Sequence, residues 1–396
     1  MAIFVFPPSS TFLHRALKTA TILILSHTPI SPQIDIKEDR IEAEDVTDQQ
    51  LQRAVHEFVK ELIEGQYGLR PLLRADAQRI RGSIYRYWGK SSEERVNVQN
   101  LIASGYLNYI DRLTDEGRLV KEVYRAFSEF SERGYERDAE IVAVPMLNKL
   151  APEFMESVRI LGGVYGSVPS RSKFSTMRLG IHTTCWGIMG LWASLFYVYR
   201  RERSVVEYYL FPNPDTLKGL IAHPILAENH KKIIEALRGR ALTNFWVALL
   251  LTSLRTIDTP SIIRRFEIAT LSIGGQREDI AQQSAPLFSE ALALFADNLH
   301  ERSVNAWNSL INLARRALSA RMEELGVAEA AMEICRQIVL AVDGVIAPEE
   351  VAYHIARFTY LQSNIALEKA IGLSPRDVEH IIQAIKVARE KTERGS

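Results

Sequence analysis

The sequence predicts a mainly α, multi-helical protein with a small α/β element at its N-terminus and a helical bundle at its C-terminus. The clearest strand signals lie before Asp45, in two short alternating stretches. From Thr47 onward, apolar residues recur at helical spacing almost without a break. After Glu278 the chain consists of long, alanine-rich amphipathic segments separated by glycines, which is typical of an up-and-down bundle.

The N-terminal element combines a strand, a helix and a hairpin. The run AIFVF is β-prone and ends at Pro7 and Pro8, because proline cannot donate to a strand ladder. The stretch TFLHRALKTATILILS follows and places its apolar residues on one helical face. The stretch QIDIKEDRIEAED then separates isoleucines by polar residues around KEDR, which predicts a hairpin with KEDR as its turn.

A series of helices is predicted after the hairpin. Thr47 can cap the first of them, since Gln50 lies three residues later, and Gly65 can end it. Thr114 and Gly134 are expected to cap and end the helix at 115–133. The other helices of this part are predicted at about 75–88, 93–113, 136–150 and 152–161.

A glycine- and serine-rich basic loop at 162–178 leads into an uncharged run from Leu179 to Tyr199. The length of that run is close to the roughly 20 residues that span a bilayer. Its glycines, threonines and His182 lower its hydrophobicity, however, so we expect a buried central helix. A membrane-associated protein anchored by 179–199 is the alternative.

The second half of the chain is predicted to be helical as well. Thr259 followed by Pro260 should open a helix that stops before Gly274. The other helices are expected at 227–237, 241–254, 278–297, 301–325, 327–341, 348–371 and 375–393. These patterns suggest three domains: an N-terminal domain at 1–161, a central domain at 162–275 that holds the basic loop and the apolar helix, and a bundle at 276–396.

Composition describes an ordinary globular chain with unevenly distributed charge. Its 396 residues are 47% hydrophobic and 24% charged, with a net charge of zero. Nine acidic and four basic residues lie between Asp35 and Glu61, whereas six basic residues and one acidic residue lie between Arg70 and Lys90. The two cysteines, Cys185 and Cys335, are too few for a disulfide framework, and we therefore expect a reducing, cytoplasmic location.

No motif for catalysis, metal binding or cofactor binding is visible. The nine histidines form no H-x-x-x-H pattern, and the serines of the loop lie in no G-x-S-x-G elbow. Cys185 lies inside the apolar run, away from charges that would activate a thiol. We therefore expect a protein that is not an enzyme and uses no cofactor; an enzyme with a helical pocket around His182 and Cys185 is a weaker alternative.

Three basic sets are candidates for binding nucleic acid, because guanidinium groups meet phosphates and aromatic rings stack on bases. In the loop the candidates are Tyr165, Arg171, Lys173, Phe174 and Arg178. In the helix at 74–90 they are Arg79, Arg81, Arg86 and Lys90. The third set contains Arg200 and Arg201, with Arg203, Lys231, Lys232, Arg238 and Arg240. For the loop and the helix, the alternative is internal packing or pairing with the acidic segment.

The N-terminal strand, the stretch PPSSTFLHRALKTATILIL and the hairpin QIDIKEDRIEAED are followed by a helical body and an alanine-rich bundle. In this order the chain resembles the large subunit of the archaeal type I-A CRISPR surveillance complex (archaeal Cascade). The resemblance implies a non-catalytic, RNA-guided role: recognition of the duplex that flanks a target and help in holding the displaced strand. It also implies partners, namely the crRNA-containing subunits, target double-stranded DNA, and a separate helicase and nuclease, with no membrane. A protein-only scaffold subunit is a further alternative.

Overall fold

The computed structural model describes most helices and strands of the chain. The described residues are 2–6, 12–28, 34–37, 39–71, 99, 101–133, 180–201, 204–212, 222–238, 247, 250–251, 253–254, 266–273, 280–286, 290–318, 325–359 and 372–395. Within them the protein is mainly α, with eleven α-helices and seven short strands, as the sequence predicts. The predicted helices at 75–88, 136–150 and 152–161 and the basic loop lie outside the described residues.

The chain divides into two compact units. One contains Met1–Arg238 and Ile268–Ser284, and the other contains Gly239–Glu267 and Ala285–Ser396. The division into three domains stays a prediction.

The first unit begins with a small antiparallel sheet. Its strands β1 (Ala2–Val5), β2 (Ile34–Ile36) and β3 (Arg40–Ala43) are arranged in the order β1-β3-β2. The register places Phe4 and Ile36 opposite Ile41, and all three side chains are buried. The predicted N-terminal strand and hairpin are therefore confirmed.

Six helices complete the first unit. They are α1 (Phe12–Leu25), α2 (Asp48–Ile63), α3 (Leu107–Asp115), α4 (Leu119–Arg133), α5 (Ile181–Ser194) and α6 (Ala222–Leu237), and a π-helical turn at Leu101–Tyr106 leads into α3. The core forms where α1 packs against α5 and α4 packs against β1. There the indole of Trp186 stacks on Phe4 at 5.8 Å and meets the edge of Phe127 at 5.3 Å, between ring centroids.

Helix α2 begins with the predicted capping box. The Thr47 hydroxyl accepts a hydrogen bond from the Gln50 amide at 3.2 Å, and the Gln50 carboxamide accepts one from the Thr47 amide at 2.9 Å. The predicted cap at Thr114 is wrong: its hydroxyl donates to the Ile110 carbonyl, within α3. Gly117, with φ of 66°, makes the turn before α4, a conformation that favours glycine.

The apolar run from Leu179 to Tyr199 is a buried helix only as far as Ser194. At Leu195 the backbone becomes extended, with ψ of 111°, and β4 (Leu195–Arg201) begins without an intervening loop. The prediction of one helix to Tyr199 is wrong because aromatic and β-branched residues after Ser194 pair with a second strand, β5 (Ser204–Pro212). No helix in the described part of the chain is long and apolar enough to cross a membrane.

Two further strands extend this hairpin into a sheet of the order β4-β5-β6-β7. They are β6 (Phe266–Ile273) and β7 (Ile280–Pro286). The predicted helix from Thr259 to Gly274 is therefore wrong over 266–273, and the predicted helix at 278–297 is wrong over 280–286. The sequence FEIATLSI is rich in β-branched residues, whose preference for a pleated surface wins once a neighbouring strand is present.

The second unit contains the predicted bundle. Its helices are α7 (Glu290–Arg302), α8 (Val304–Leu318), α9 (Leu325–Val342), α10 (Pro348–Thr359) and α11 (Pro375–Gly395). Helix α7 packs along α11, and α8 packs along α9. Gly344, with φ of 78°, makes the turn after α9, and the Ser374 hydroxyl accepts from the Asp377 amide at the start of α11.

Candidate nucleic-acid interface

The β4–β5 hairpin presents two chemically different faces. Its register pairs Tyr197 with Tyr208, Val198 with Glu207, and Tyr199 with Val206. Because successive side chains in a strand alternate between faces, Tyr197, Tyr199 and Tyr208 share one face, which we call the tyrosine face. Glu207 and Tyr209 lie on the opposite face.

The face opposite the tyrosines anchors the hairpin in the core. Phe12 of α1 meets the rings of Tyr209 and Phe211 edge-on, at centroid distances of 5.2 and 5.3 Å. The Tyr209 hydroxyl donates to the buried Glu207 carboxylate at 2.6 Å. Burial and the adjacent carboxylate raise the pKa of Tyr209, so this phenol stays protonated. The core therefore anchors the hairpin through this face.

The tyrosine face is partly open to solvent. Tyr199 is 45% exposed, and Tyr197 and Tyr208 are half-buried beside each other with ring centroids 5.7 Å apart. Partial burial and the neighbouring phenols Tyr197 and Tyr199 raise the pKa of Tyr208, so the ring stays neutral at neutral pH. Neutral aromatic rings on a sheet surface can stack on nucleic-acid bases of any identity, since every base has a π-face.

Basic residues follow at the end of the hairpin where its two strands are joined. Arg200 is exposed in β4, on the face opposite the tyrosines, and the backbone of Arg201 pairs with Ser204. The sequence of this end is Arg-Arg-Glu-Arg, from Arg200 to Arg203. Of the predicted nucleic-acid-binding residues in this hairpin, the structure describes the backbone of Arg200 and Arg201, which directly follow Tyr199 in β4.

The predicted contact residues of the loop and of the 74–90 segment lie outside the described residues. They are Tyr165, Arg171, Lys173, Phe174 and Arg178 of the loop, and Arg79, Arg81, Arg86 and Lys90 of the preceding segment. Their roles stay predictions.

The third basic set contains residues with internal partners. Lys231 of α6 donates to the Glu61 carboxylate at 3.1 Å and to the Gln66 carboxamide, and its ammonium lies 5.4 Å from the centre of the Tyr67 ring. Arg238 donates to the carbonyls of Gly65 and Tyr67. These contacts tie α6 to the end of α2. A role of Lys231 and Arg238 in binding phosphate stays a prediction.

The residues considered for an enzymatic pocket form part of the packed core. Trp186 Nε1–H donates to the Tyr106 hydroxyl at 2.7 Å, and this hydroxyl in turn can donate to Nδ1 of neutral His182, at 2.8 Å. His182 is 3% exposed, and burial lowers its pKa to about 4. Burial also raises the pKa of the Cys185 thiol. A protonated thiol is a poor nucleophile, so nothing around Cys185 activates it for chemistry.

Metal binding finds no support in the described part of the chain, where no group of three or more His, Cys, Asp and Glu side chains could hold an ion.

The tyrosine face was not predicted from the sequence, although the sequence carries its signal. In YVYRRERSVVEYY, tyrosines and valines alternate with other residues on both sides of a charged centre, which is the pattern of a hairpin. The signal was obscured because the aromatic residues continue directly from an apolar helix. Counting them as part of that helix hides the change of period from 3.6 to 2.

No protein-family model matches this chain, and no curated protein sequence matches it.

Proposed function

We propose that this protein is a non-catalytic, nucleic-acid-binding large subunit of a CRISPR RNA-guided DNA surveillance complex. In this role it recognises the duplex that flanks the target and helps to hold the displaced strand. Its partners are the crRNA-containing subunits, the target double-stranded DNA, and a separate helicase and nuclease, and its place is the cytoplasm.

One observation carries the nucleic-acid part of the proposal: the tyrosine face with Arg200 and Arg201 at its end. Surfaces that bind single strands without regard to sequence combine aromatic stacking platforms with basic residues that follow the backbone. The hairpin carries the rings on one face and the exposed Arg200 on the other, within a few residues of its turn, and α1 packs against Tyr209 of the second face. A displaced single strand has unpaired bases for the rings and phosphates for the guanidinium groups.

The charge of the chain supports a subunit of a larger assembly rather than an independent DNA-binding protein. A protein that binds DNA mainly through its phosphates usually carries a strong positive charge, whereas this chain has a net charge of zero. In a guide-RNA complex, base pairing with the guide provides sequence recognition, and each protein subunit needs only local basic surfaces.

The CRISPR part of the proposal rests on the resemblance. The strand, helix and hairpin that carry it are β1, α1 and β2–β3, and the bundle that completes it is α7–α11. Agreement at the level of these elements supports the proposal, and purification of the native assembly tests it.

The test of the assembly is an affinity-tagged pull-down from the native host in moderate salt, followed by nuclease digestion and sizing of the protected nucleic acid. We expect short RNAs of uniform length together with several small proteins. A chain that elutes without nucleic acid would contradict the CRISPR assignment.

The test of the tyrosine face is binding of a fluorescent single-stranded oligonucleotide, measured by anisotropy. Loss of one stacked ring costs about 1–3 kcal/mol, so Tyr199→Ala should weaken binding by roughly five- to a hundredfold, whereas Tyr199→Phe, which keeps the ring, should bind normally. Tyr353→Ala is the matched control, because Tyr353 is 61% exposed on α10 of the other unit. Equal affinity of the wild type and Tyr199→Ala would remove the tyrosine face from the proposal.

A further inference from the structure

Helix α8 differs from the other helices of the bundle in its charge. Its sequence, VNAWNSLINLARRAL, contains Arg315 and Arg316 and no acidic residue. Each of the other four bundle helices carries at least two acidic residues. The nearest acidic residue before α8 is Glu301, at the end of α7.

The outward face of α8 is a row of amide and guanidinium side chains. The exposed residues of this row, which we call the amide face, are Asn305, Asn308, Asn312, Arg315 and Arg316. Their spacings of three and four residues place them on one side of the helix, opposite the buried residues Ala306, Leu310, Leu313, Ala314 and Ala317. From Asn305 to Arg316 the row is about 16 Å long, at 1.5 Å per residue.

Three asparagines on one exposed helical face need an explanation other than folding. Asparagine is a poor helix former, because its carboxamide competes for backbone hydrogen bonds, and packing does not require it at an exposed site. Among the residues that the structure describes, none makes a hydrogen bond with the carboxamides of Asn305, Asn308 or Asn312. Their donors and acceptors are therefore open to water or to a binding partner.

We propose that the amide face of α8 binds double-stranded DNA in its major groove and reads base edges there. Asparagine forms paired hydrogen bonds with the N6 and N7 positions of adenine, and arginine does so with O6 and N7 of guanine. An α-helix with its side chains is about 10–12 Å wide, which matches a groove about 12 Å wide. A row of about 16 Å covers roughly five base pairs, at 3.4 Å each.

The composition of the amide face favours a duplex over a single strand. It exposes no aromatic ring for stacking: Trp307 is half-buried, and its Nε1–H donates to the Leu254 carbonyl at 3.1 Å. Neutral carboxamides that offer a donor and an acceptor side by side are suited to the base edges of a groove.

This inference rests on the proposed function in one respect, namely that the chain binds nucleic acid. The two sites are otherwise independent, because the tyrosine face belongs to the first unit and α8 to the second. The tyrosine face binds single-stranded nucleic acid, and the amide face binds double-stranded DNA. The duplex that flanks a target would then be read, at least in part, by α8.

The experiment is a binding selection with the purified full-length chain on a pool of duplexes randomised over ten central base pairs. We expect enrichment of a purine-rich site that contains adenines next to guanine. The wild type should prefer the enriched duplex at least tenfold over a shuffled duplex of the same composition, since one good paired contact is worth about 1–3 kcal/mol. Asn308→Ala/Asn312→Ala should lose that preference and keep its affinity for the shuffled duplex.

Two further variants separate a role in base reading from a role in folding. The double alanine variant should melt at the same or a higher temperature, because alanine is the better helix former. Gln383→Ala, an exposed amide on α11, is the matched control and should keep the preference for the enriched duplex. Arg315→Ala should weaken the preference for guanine in the enriched duplex. It should also lower, by about one, the number of counterions released on binding, which is measured from the salt dependence of the affinity.

Three results would overturn the inference: no enriched duplex, a preference that survives Asn308→Ala/Asn312→Ala, or a preference for a single-stranded or RNA probe that this variant loses. If any of these occurs while oligonucleotide binding still depends on Tyr199, the inference on α8 fails alone. If the chain binds no nucleic acid, the proposed function fails with it.

Discussion

At the scale of single residues, Gly190 lets α1 and α5 approach each other closely. A Cβ atom built on Gly190 would lie 1.9 Å from the Ala16 carbonyl oxygen, well inside the van der Waals distance. The two helices can therefore approach each other this closely only with glycine at position 190. Gly68 has a similar role beside the carbonyls of Trp192 and Leu195, where an added Cβ would lie 2.5 and 2.4 Å away.

We predict that Gly190→Ala lowers the free energy of unfolding by about 1–3 kcal/mol or more, because α1 and α5 must separate to admit the methyl group. Gly117→Ala is the control: its φ of 66° strains an alanine, but nothing lies within 4 Å, so its cost should be only about 1 kcal/mol. Urea unfolding followed by circular dichroism measures both. Equal costs for the two variants would contradict the close approach of the helices.

At the scale of elements, the start of α2 is specified locally. The capping box of Thr47 and Gln50 satisfies two backbone amides, and the neighbouring Asp48 carboxylate accepts from the Val120 amide at 2.8 Å, in the first turn of α4. One short stretch thus begins α2 and also binds the start of a second helix. The sequence alone shows the capping box, whereas the contact with α4 depends on the fold.

Thr47→Ala should reduce the free energy of unfolding by about 1 kcal/mol, because the Gln50 amide loses its acceptor. Thr47→Ser keeps a hydroxyl at the same position and should unfold like the wild type. Urea titration of the three proteins under identical conditions tests this. A wild-type midpoint for Thr47→Ala would mean that the cap does not stabilise α2.

The sheet β4-β5-β6-β7 shows where local patterns fail. Residues 195–201 follow an apolar helix directly, and residues 266–273 follow a threonine and a proline that suit a helix start. Both stretches are apolar enough for either a buried helix or a buried strand. Strand pairing between β5 and β6 joins residues more than 50 positions apart in sequence. No short stretch of sequence therefore contains the interaction that makes these residues a strand rather than a helix.

At the scale of the whole molecule, two buried histidines make stability depend on pH. Burial lowers the pKa of both His182 and His230 to about 4, from 6.5 in the unfolded chain. The hydrogen bond that links the His230 ring to the Leu210 carbonyl opposes this shift only in part. The unfolded chain therefore binds more protons than the folded one between about pH 6.5 and pH 4, and stability in this range rises with pH.

We predict that the contribution of His182 and His230 to the free energy of unfolding is constant above about pH 7. It should fall as the pH decreases from 6.5 towards 4, by about 1.4 kcal/mol per pH unit for each histidine. Urea titrations at pH 7, 6 and 5 measure the slope. His182→Gln or His230→Gln should each remove about half of it. A slope that neither buried variant changes would contradict this assignment.

Much of this protein is determined by the sequence itself. Helical periodicity predicts a mainly α chain, glycine and proline mark the two bundle boundaries at 344–348 and 372–375, and alternation marks the N-terminal hairpin, because each of these signals acts within a few residues. The capping box of α2 belongs to the same class. Basic residues near position 200 are also visible, although their surroundings are not.

Tertiary structure alone decides which residues can form a binding surface. Lys231 and Arg238 resemble surface cations in the sequence, but the end of α2 supplies their acceptors. Tyr197, Tyr199 and Tyr208 share a face because two strands pair in one register, and the asparagines of α8 stand out because packing covers the other side of the helix. Pairing and burial join residues distant in sequence, so local spacing predicts the elements, whereas the surfaces they expose follow only from the assembled fold.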